Sequence, residues 1–421
     1  MHRDSTIHHA LEHLFRHESG RLVSILTRVF GPHNLGLAED VVQDTLLEAM
    51  NSWKIRGIPR DAPAWLFTVA RNKALDLIRK EKRHRDIVSV QSHLLESEYT
   101  LAPAVDELMK SRSIQDDQLS MMFTCCHPSL SAESQVALVL KTLCGFSVAE
   151  IAKAFISTPD TIEKRLYRAK EKFRQEKIAF EIPGENELDA RLENVLLAIY
   201  LLFNEGYNST DHEDLIRKDL LEESLRLGEL LLQNAVTRKP PVYALLALFC
   251  FNSARSKARI DNQGNILLLK DQDRNLWDRS LISSGEQWLD KSAEGELFSA
   301  YHFEAAISRE HLVAKSYDQT NWELILYYYD LLLRARPSPV VALNRAVVIG
   351  EMKGPAAGLE AIEKIPGIDG LQNYYLFHAI IGEFYAKLGN REQANEYFAK
   401  AKELTSSEKE KQLLVSKMQK E

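Results

Sequence analysis

The positions of apolar residues predict helices along almost the whole chain. In the first quarter, apolar residues recur at helical spacing over residues 7–30, 38–53 and 61–85, which predicts three amphipathic helices. Asp61 and Pro63 are typical of a helix start, because a carboxylate can cap the first turn and proline lacks an N–H that would be unpaired there. The third helix has an apolar stripe that comprises Leu66, Val69, Ala70, Ala74, Leu77 and Ile78.

A basic ridge follows another face of the third helix. Trp65 stands near the start of this helix, where its ring could lie at the edge of the core. Cationic side chains neutralise phosphates and flat rings stack on unpaired bases, so the ridge suits nucleic acid. A solvated helix with a buried tryptophan is the alternative, and this stretch alone favours neither. The polar members of the ridge are Arg71, Asn72, Asp76, Arg79, Lys80 and Arg83.

The second predicted helix has an acidic face. Val41, Val42, Thr45, Leu46 and Ala49 are expected to pack inward. The acidic face could dock a basic partner, although a solvated face is the commoner explanation of such a run. The residues expected to stay outside are Glu39, Asp40, Gln43, Asp44 and Glu48.

A second group of helices follows a segment without clear periodicity. Residues 86–118 are predicted to be a linker with some helical turns. Helices are then predicted over residues 131–143 and 147–155, and Ser147 and Glu150 make an S-x-x-E capping box for the second of them.

The helix that comes next completes a helix-turn-helix pattern. Thr158 can cap it and Pro159 can start it. Its inner stripe is apolar, while Lys164, Arg165, Arg168 and other basic residues point elsewhere. In a helix-turn-helix the second helix enters the major groove with its N-terminus first. A generic two-helix hairpin would not need this density of basic residues, so the segment predicts DNA binding.

The pattern of residues 187–421 predicts a series of consecutive helices and few strands. One segment has the offsets of a tetratricopeptide repeat, with Gly389-Asn390 as the turn between its two helices, and a degenerate repeat is predicted before it, from Tyr329 to Glu363. Such repeats stack into curved surfaces that bind other proteins. The residues at the repeat offsets are Gly382, Tyr385, Ala394, Phe398 and Ala401.

Length and composition predict a globular protein of about two or three domains. The chain has 421 residues, of which 45% are apolar and 27% charged. No run approaches the roughly eighteen apolar residues of a membrane span, and the N-terminus lacks the apolar core of a signal peptide. The four cysteines do not make a disulfide framework. We therefore expect a reduced, cytoplasmic protein.

The charge is unevenly distributed. The net charge of -7 argues by itself against nucleic acid, yet residues 1–180 hold 25 basic and 23 acidic side chains, whereas the remainder holds 28 and 37. An acidic C-terminal half is thus joined to a nearly neutral half with basic ridges.

Three clusters resemble metal or catalytic sites, and we expect each to be structural. The histidines at 9, 13 and 17 share a helix face, but no carboxylate or cysteine completes a ligand set. Cys125, Cys126 and Cys144 lack paired C-x-x-C spacing and are expected to be buried thiols. In D-Q-D-R-N-L-W-D (271–278), the aspartates are expected to cap a turn and pair with Arg274. An enzyme that uses Asp271, Asp273 and Asp278 stays an alternative, disfavoured because the chain has no P-loop, G-x-G-x-x-G or H-E-x-x-H motif.

Together, the basic segments resemble a known family. A-E-D-V-V-Q-D-T-L-L-E-A with A-W-L-F-T-V-A-R-N-K-A-L-D-L-I-R-K resembles region 2 of bacterial sigma-70-type factors of the extracytoplasmic-function (ECF) class. G-F-S-V-A-E-I-A-K-A-F-I-S-T-P-D-T-I-E-K-R-L-Y-R-A-K resembles their region 4, apart from Ile156 where a turn glycine is usual. F-T-C-C-H-P, L-F-N-E-G-Y, D-Q-D-R-N-L-W-D and L-N-R-A-V resemble signatures of an ECF branch with a C-terminal tetratricopeptide-like extension.

The resemblance implies an all-α fold and four segments. These are region 2 at 1–85, a linker at 86–118 that would run through the polymerase channel, region 4 at 119–180 and a tetratricopeptide-like domain at 187–421. It implies a sigma factor, not an enzyme, without cofactor or metal, whose partners are core RNA polymerase and promoter DNA. A signal bound by the C-terminal domain, and a contact of that domain with the sigma domains, are left open. A helix-turn-helix regulator with a partner-binding repeat domain and no polymerase role is the alternative.

The resemblance also implies roles for particular residues. Core polymerase would be contacted by the acidic face Glu39, Asp40, Gln43, Asp44 and Glu48. The melted −10 strand would be held by Arg56, Arg60, Trp65, Arg71, Asn72, Asp76, Arg79, Lys80 and Arg83. The −35 element would be read by Thr158, Pro159, Asp160, Thr161, Lys164, Arg165 and Arg168.

Overall fold

The described residues fold mainly into helices, as a computed structural model shows, and a longer connection over residues 255–278 contains short 3-10 helices. Within the described residues the only β pairing is an isolated antiparallel bridge between Ile260 and Ile266, so the predicted all-α class is confirmed. None of the helices in this described part is long and apolar enough to cross a membrane. The structure describes residues 2–82, 111–155, 157–176, 178–209, 215–295 and 298–419.

The first three helices match the predicted ones: the first two extend beyond their predicted limits, and the third is described from Ala62 to Lys82. They are α1 (His2–Phe30), α2 (Leu35–Arg56) and α3 (Ala62–Lys82), and the single turn Pro32–Asn34 joins the first two. The carboxylate of Asp61 accepts a hydrogen bond from the backbone N–H of Ala64 at 2.9 Å, which confirms it as the cap of α3. The fully buried side chains that join these helices include Leu22, Leu26, Leu66, Ala70 and Ala74.

Four helices form the next group, and their caps are those that the sequence predicts. The oxygens of Ser147 and Glu150 accept from each other's backbone N–H groups at 3.2 and 2.7 Å, and Thr158 caps the following helix. The first helix begins inside the predicted linker, so residues 111–118 are helical, while residues 83–110 and Ile156 lie outside the described part. The four are α4 (Ser111–Cys125), α5 (Ala132–Thr142), α6 (Val148–Ala154) and α7 (Pro159–Gln175).

The chain divides into two compact units whose limits do not follow the chain order. The first unit, here the N-terminal unit, comprises Met1–Leu202 and Glu222–Thr237. The second, the C-terminal unit, comprises Phe203–Leu221 and Arg238–Glu421. Helices α8 (Glu185–Tyr207) and α9 (Lys218–Gln233) therefore contribute most of their length to the N-terminal unit. The domain boundaries from the sequence stay predictions, since compactness does not test where a functional region ends.

Helix pairs make up the rest of the C-terminal unit. Their bounds are α10 (Pro240–Ala254), α11 (Arg279–Ser292), α12 (Ala300–Val313), α13 (Trp322–Ala335), α14 (Pro339–Lys353), α15 (Pro355–Glu363), α16 (Tyr375–Lys387), α17 (Arg391–Leu404) and α18 (Glu408–Gln419).

The predicted repeat corresponds to α16 and α17. A Cβ atom built on Gly382 would lie 2.8 Å from the ring of Phe398, so only glycine allows the two helices to approach this closely. Phe398, Ala394 and Ala401 are buried between α16, α17 and α18. Gly389 has φ +79°, and the side chain of Asn390 caps α17. Each residue type at the repeat offsets thus has a packing reason.

The cysteine and histidine clusters that resembled metal sites in the sequence do not form such sites within the described residues. Cys125, Cys126 and Cys144 are free and fully buried, as predicted, and burial raises the pKa of Cys125 to about 12. The side chain of His17 lies beside Glu223, and those of His9 and His13 lie outside the described part. No group of three or more His, Cys, Asp or Glu side chains in the described ranges could hold a metal ion.

The D-Q-D-R-N-L-W-D segment caps turns, as expected, but the pairing with Arg274 is wrong. Asp278 accepts from the backbone N–H groups of Ser280 and Leu281 at 3.0 and 3.2 Å, and Asp273 caps the turn before it. Arg274 donates to the carbonyl oxygens of His311 and Ala314, both at 2.8 Å, and stacks over Trp277. The capping carboxylates are engaged by nearby N–H groups, so the guanidinium bonds to carbonyls that lie far along the chain.

Candidate nucleic-acid interface

The outer face of α3 presents polar side chains as a continuous row. Asn72, Asp76, Arg79 and Lys80 are exposed. Of the predicted apolar stripe, Leu66, Ala70, Ala74 and Ile78 are buried, whereas Val69 and Leu77 are partly exposed. A guanidinium nitrogen of Arg79 lies 3.4 Å from a carboxylate oxygen of Asp76, which fixes neither side chain, since an exposed pair of this kind contributes little. Arg83 lies outside the described residues.

Trp65 sits at the edge of the core, half-buried, near the start of α3. Its ring meets the ring of Trp53 edge-to-face at 5.3 Å, and Trp53 in turn lies 5.7 Å from Phe15. This packing fixes the orientation of the indole while part of its surface stays accessible. A fixed, partly exposed ring beside a polar helix face is a suitable stacking surface for an unpaired base.

The last turn of α2 and the loop that follows it combine exposed cations with exposed apolar side chains. Arg56 and Arg60 are exposed, as the sequence predicts. The sequence reasoning missed Ile55 and Ile58, whose exposed fractions are 85% and 45%. Their signal was the interruption of a polar run by isoleucines in W-K-I-R-G-I-P-R, where no helical stripe requires them.

The apolar stripe of α7 is buried along the whole helix, and the opposite face is exposed. Thr158, Pro159, Asp160, Thr161 and Arg168 are exposed. Lys164 lies 2.7 Å from Asp160 one turn earlier, and the guanidinium of Arg165 stacks 5.3 Å from the ring centre of Phe155. Tyr167, which the sequence reasoning missed, is 67% exposed. The helix thus presents its first turns to solvent, as a major-groove helix requires.

The acidic face of α2 is exposed around an apolar centre. Asp40, Gln43 and Asp44 are exposed, and the carboxylate of Glu48 lies 2.8 Å from the ammonium of Lys73. Leu47 lies on the same face and is 57% exposed, a feature that the sequence reasoning did not single out. An exposed leucine ringed by carboxylates is typical of a protein-docking face, with an apolar centre and a polar rim.

Glu39 differs from the other members of the acidic face. It was expected to stay outside, but it is buried, and its carboxylate accepts a hydrogen bond from the ammonium of Lys170 on α7. Because Lys170 stands 131 residues away, no local pattern could indicate this pair.

Helix α1 packs directly on the helix-turn-helix segment. The guanidinium of Arg16 donates to the carbonyl oxygen of Gly145 at 3.2 Å and lies 3.5 Å from the carboxylate of Glu150. A Cβ atom on Gly20 would lie 2.5 Å from the carbonyl oxygen of Leu143, so the two backbones touch.

Helix α1 is also joined to α4 by an ion pair: Arg28 pairs with Asp117 on α4 at 3.0 Å. Burial raises the pKa of Asp117 to about 6, although Arg28 opposes that change.

Helix α9 bridges α1 and α4 through a buried carboxylate. An oxygen of Glu223 lies 2.8 Å from Nδ1 of His17, and Arg226 donates to both carboxylate oxygens at 2.6 and 2.9 Å. Arg226 also donates to the side chain of Gln118 on α4 at 3.1 Å. Burial by itself would raise the pKa of Glu223, but the hydrogen bonds from Arg226 and His17 outweigh it, so the pKa is lowered and the carboxylate is charged.

The acidic surplus of the C-terminal half lies in α8, α9 and the residues that join and flank them. Residues 181–237 contain 4 basic and 13 acidic side chains, which accounts for the whole net charge of -9 of residues 181–421. Asn194 on α8 donates to the side chain of Gln135 on α5 at 2.8 Å. Residues 181–202 and 222–237, which belong to the N-terminal unit, hold 8 of these acidic and 2 of these basic side chains, so most of the surplus lies in that unit.

Comparisons with known proteins match both halves of the chain. The model of sigma-70 region 2 matches residues 14–84, that of sigma-70 region 4 matches residues 120–173, and a family of unknown function (DUF6596) matches residues 191–293. An uncharacterized protein of Rhizobium meliloti (strain 1021) is 36% identical over 379 residues, which cover 90% of this chain and 88% of that protein. The ECF RNA polymerase sigma factor SigL of Mycobacterium tuberculosis is 34% identical over 133 residues, which cover 31% of this chain and 70% of SigL. No solved structure matches the chain.

These matches fall on the helices just described and define a helical transcription factor with a DNA-binding helix-turn-helix. The chain belongs to the sigma-70 family, as a member of the ECF type with a C-terminal extension. The resemblance inferred from the sequence motifs is thus confirmed. Members of this family are transcription factors and not enzymes.

Proposed function

We propose that this protein binds core RNA polymerase and directs promoter-specific initiation of transcription. The observation that carries the proposal is the exposed polar face of α3 beside the half-buried Trp65, within the region 2 match. An ordinary helix-turn-helix regulator has no use for such a face, because duplex readout needs no surface for unpaired bases.

We assign the binding of the melted −10 strand to α3 and the loop before it. Trp65, held by Trp53, offers a ring on which an extruded base can stack. Asn72 and Asp76 can bond to base edges, and Arg56, Arg60, Arg79 and Lys80 can neutralise phosphates. Arg71 bonds to the side chain of Asn72 at 3.2 Å and can orient it. Melting is then favoured because the single strand binds tightly and the duplex does not.

We assign the recognition of the −35 element to the first turns of α7. Thr158, Asp160 and Thr161 are exposed at its N-terminus, and Lys164, Arg165 and Arg168 follow on the next turns. Arg165, stacked on Phe155, is the best placed of these for a bidentate contact with a guanine edge. Tyr167 adds an exposed ring on this helix.

We assign the binding of core polymerase to the face of α2 that includes Asp40, Gln43, Asp44 and Glu48. Leu47 is added to this face as its apolar centre. Glu39 can contact core polymerase only if its hydrogen bond from Lys170 is broken.

We propose that the extension serves as a structural partner of the two sigma regions. The support for this role is that α9 contacts both α1 and α4 through Glu223 and Arg226, and that α8 contacts α5 through Asn194. The fully buried apolar residues Val195 and Leu227 lie in the same helices.

A run-off transcription assay with purified core polymerase tests the proposed function. We expect promoter-dependent transcripts from the full chain with core, and none from core alone. If the protein bound promoter duplex DNA but never supported transcription with core, it would be a helix-turn-helix regulator instead.

The two DNA-contacting helices are expected to fail at different steps when they are altered. Arg165→Ala should weaken duplex −35 binding by about 1–3 kcal/mol if it reads a base edge. Trp65→Ala or Asn72→Ala should leave duplex binding intact and reduce open-complex formation. Electrophoretic shift assays on duplex DNA and permanganate footprinting of the melted region separate the two steps.

Arg174 supplies the matched control for Arg165. It lies at the far end of α7 and pairs with Glu171 at 2.7 Å, so Arg174→Ala should leave both steps unchanged. Equal loss of duplex binding in the Arg165 and Asn72 variants would refute the division of labour between the helices.

A further inference from the structure

The C-terminal unit contains a cavity of about 620 Å³ that no assigned role uses. One wall is the segment from Asn265 to Asp271, and the other consists of α16, α17 and α18. This volume is within the range of roughly 300–1,000 Å³ that is usual for ligand sites. The cavity therefore has room for several atoms of a ligand without any change in the fold.

The cavity is lined by more cations than carboxylates. Lys270, Lys387, Arg391 and Lys417 line it, against Asp271 and Glu383. Lys417 bonds to both oxygens of Glu383 at 2.6 and 2.8 Å, and Lys387 bonds to Glu351 at 2.5 Å. Within the described residues, Lys270 and Arg391 have no ion pair. Asp271, which also lines the cavity, has no ion pair within the described residues either, so positive charge remains in excess at the cavity, and this favours an acidic ligand.

The remaining lining favours a peptide over a nucleic acid. Apolar side chains of Ile266, Leu268 and Leu413 line the cavity together with the cations. Ile266 also belongs to a short hairpin, in which the backbone N–H of Leu267 donates to the carbonyl of Arg259 at 2.8 Å and that of Asp261 donates to Asn265 at 3.0 Å. Because backbone groups alternate in direction along a strand, the N–H and C=O of Ile266 face away from this hairpin.

We propose that this cavity binds an extended acidic peptide segment of a partner protein. Its carboxylates pair with Lys270 and Arg391, an apolar side chain packs on Ile266 and Leu413, and its backbone bonds to the free edge at Ile266. Edge pairing of this kind gives affinity through the main chain, and the side-chain contacts give specificity. The inference does not rest on the proposed promoter function.

The test measures binding of a fluorescein-labelled heptapeptide of glutamate and leucine to the full-length protein by fluorescence anisotropy. A labelled lysine and leucine peptide and a labelled single-stranded DNA of similar charge are the comparison probes. We expect the acidic peptide to bind, with an affinity that falls as salt rises, and the basic peptide not to bind. The double variant Lys270→Glu/Arg391→Glu should weaken binding by about tenfold or more, because it reverses both unpaired charges.

Lys402→Glu is the control for a charge reversal outside the cavity, because Lys402 is exposed on α17 and does not line the cavity. It should bind the acidic peptide as the unaltered protein does, and circular dichroism should show the same helix content in all variants. The proposal is overturned if the acidic peptide does not bind, or if both variants lose affinity equally. It is also overturned if the double variant loses DNA binding and keeps the peptide, which would make the cavity a nucleic-acid site. Run-off transcription of the double variant without a partner should be unchanged, so failure here is distinct from failure of the sigma function.

Discussion

The double substitution Asp40→Lys/Asp44→Lys is expected to abolish holoenzyme formation. Both carboxylates are exposed on the α2 face around Leu47, which we propose docks on a basic surface of core polymerase. Lysines at these positions would place like charges in contact, and like-charge juxtaposition at an interface costs several kcal/mol. Co-elution of the variant with core polymerase in size-exclusion chromatography measures the effect. Run-off transcription should fall to the level of core alone.

A pair of exposed carboxylates elsewhere controls for the change in net charge. Glu392 and Glu403 are exposed on α17, and Glu392→Lys/Glu403→Lys changes the total charge by the same amount. This control should co-elute with core normally. Normal co-elution of the Asp40/Asp44 variant would contradict the proposal that the α2 face binds core polymerase. The DNA-binding roles proposed for α3 and α7 would not be contradicted by that result.

Glu223→Ala is expected to destabilise the N-terminal unit and to reduce transcription. The carboxylate is 6% exposed and is shared by His17 and Arg226, so its removal leaves a partly buried guanidinium without a charged partner. Removal of one partner from a buried pair costs about 3 kcal/mol or more. Thermal unfolding monitored by circular dichroism should show a lower midpoint for the N-terminal unit. Run-off transcription at the same protein concentration should fall with it.

Glu229→Ala controls for a lost carboxylate on the same helix, since Glu229 is exposed on α9. It should alter neither the unfolding midpoint nor transcription. The competing hypothesis is that the extension masks the promoter-binding helices. In that case Glu223→Ala would increase transcription and tighten promoter binding, most of all at low salt, where acidic charge is least screened. An increase would therefore overturn the proposed structural role of the extension.

Removal of the extension after about Pro183 is a less specific test than the sequence suggested. That cut removes α8 and α9, most of whose residues belong to the N-terminal unit. Loss of activity would then follow from an exposed core as readily as from a lost signal. The point substitution at Glu223 keeps these helices and alters one bridge, so it separates the two causes.

Local features of the fold were predictable because their causes lie within a few residues of each other. The caps at Asp61, Ser147 and Thr158 satisfy N–H groups three positions away, and the structure places them as predicted. The repeat offsets at Gly382 and Phe398 also follow from contacts between adjacent helices. The exposed faces of α3 and α7 were predictable because a polar stripe on an amphipathic helix lies opposite its buried stripe.

The sequence by itself determined most helices, their caps, the two motifs of sigma-70 regions 2 and 4 and the family, because each depends on spacing within a short segment. Only the tertiary structure decided that Glu39 is buried against Lys170, that Arg274 bonds to distant carbonyls, and that Glu223 joins α1 to α4. The partners in these contacts stand between 37 and 206 residues apart. An exposed carboxylate and a paired one have the same local pattern, and what distinguishes them is the side chain that folding brings beside them.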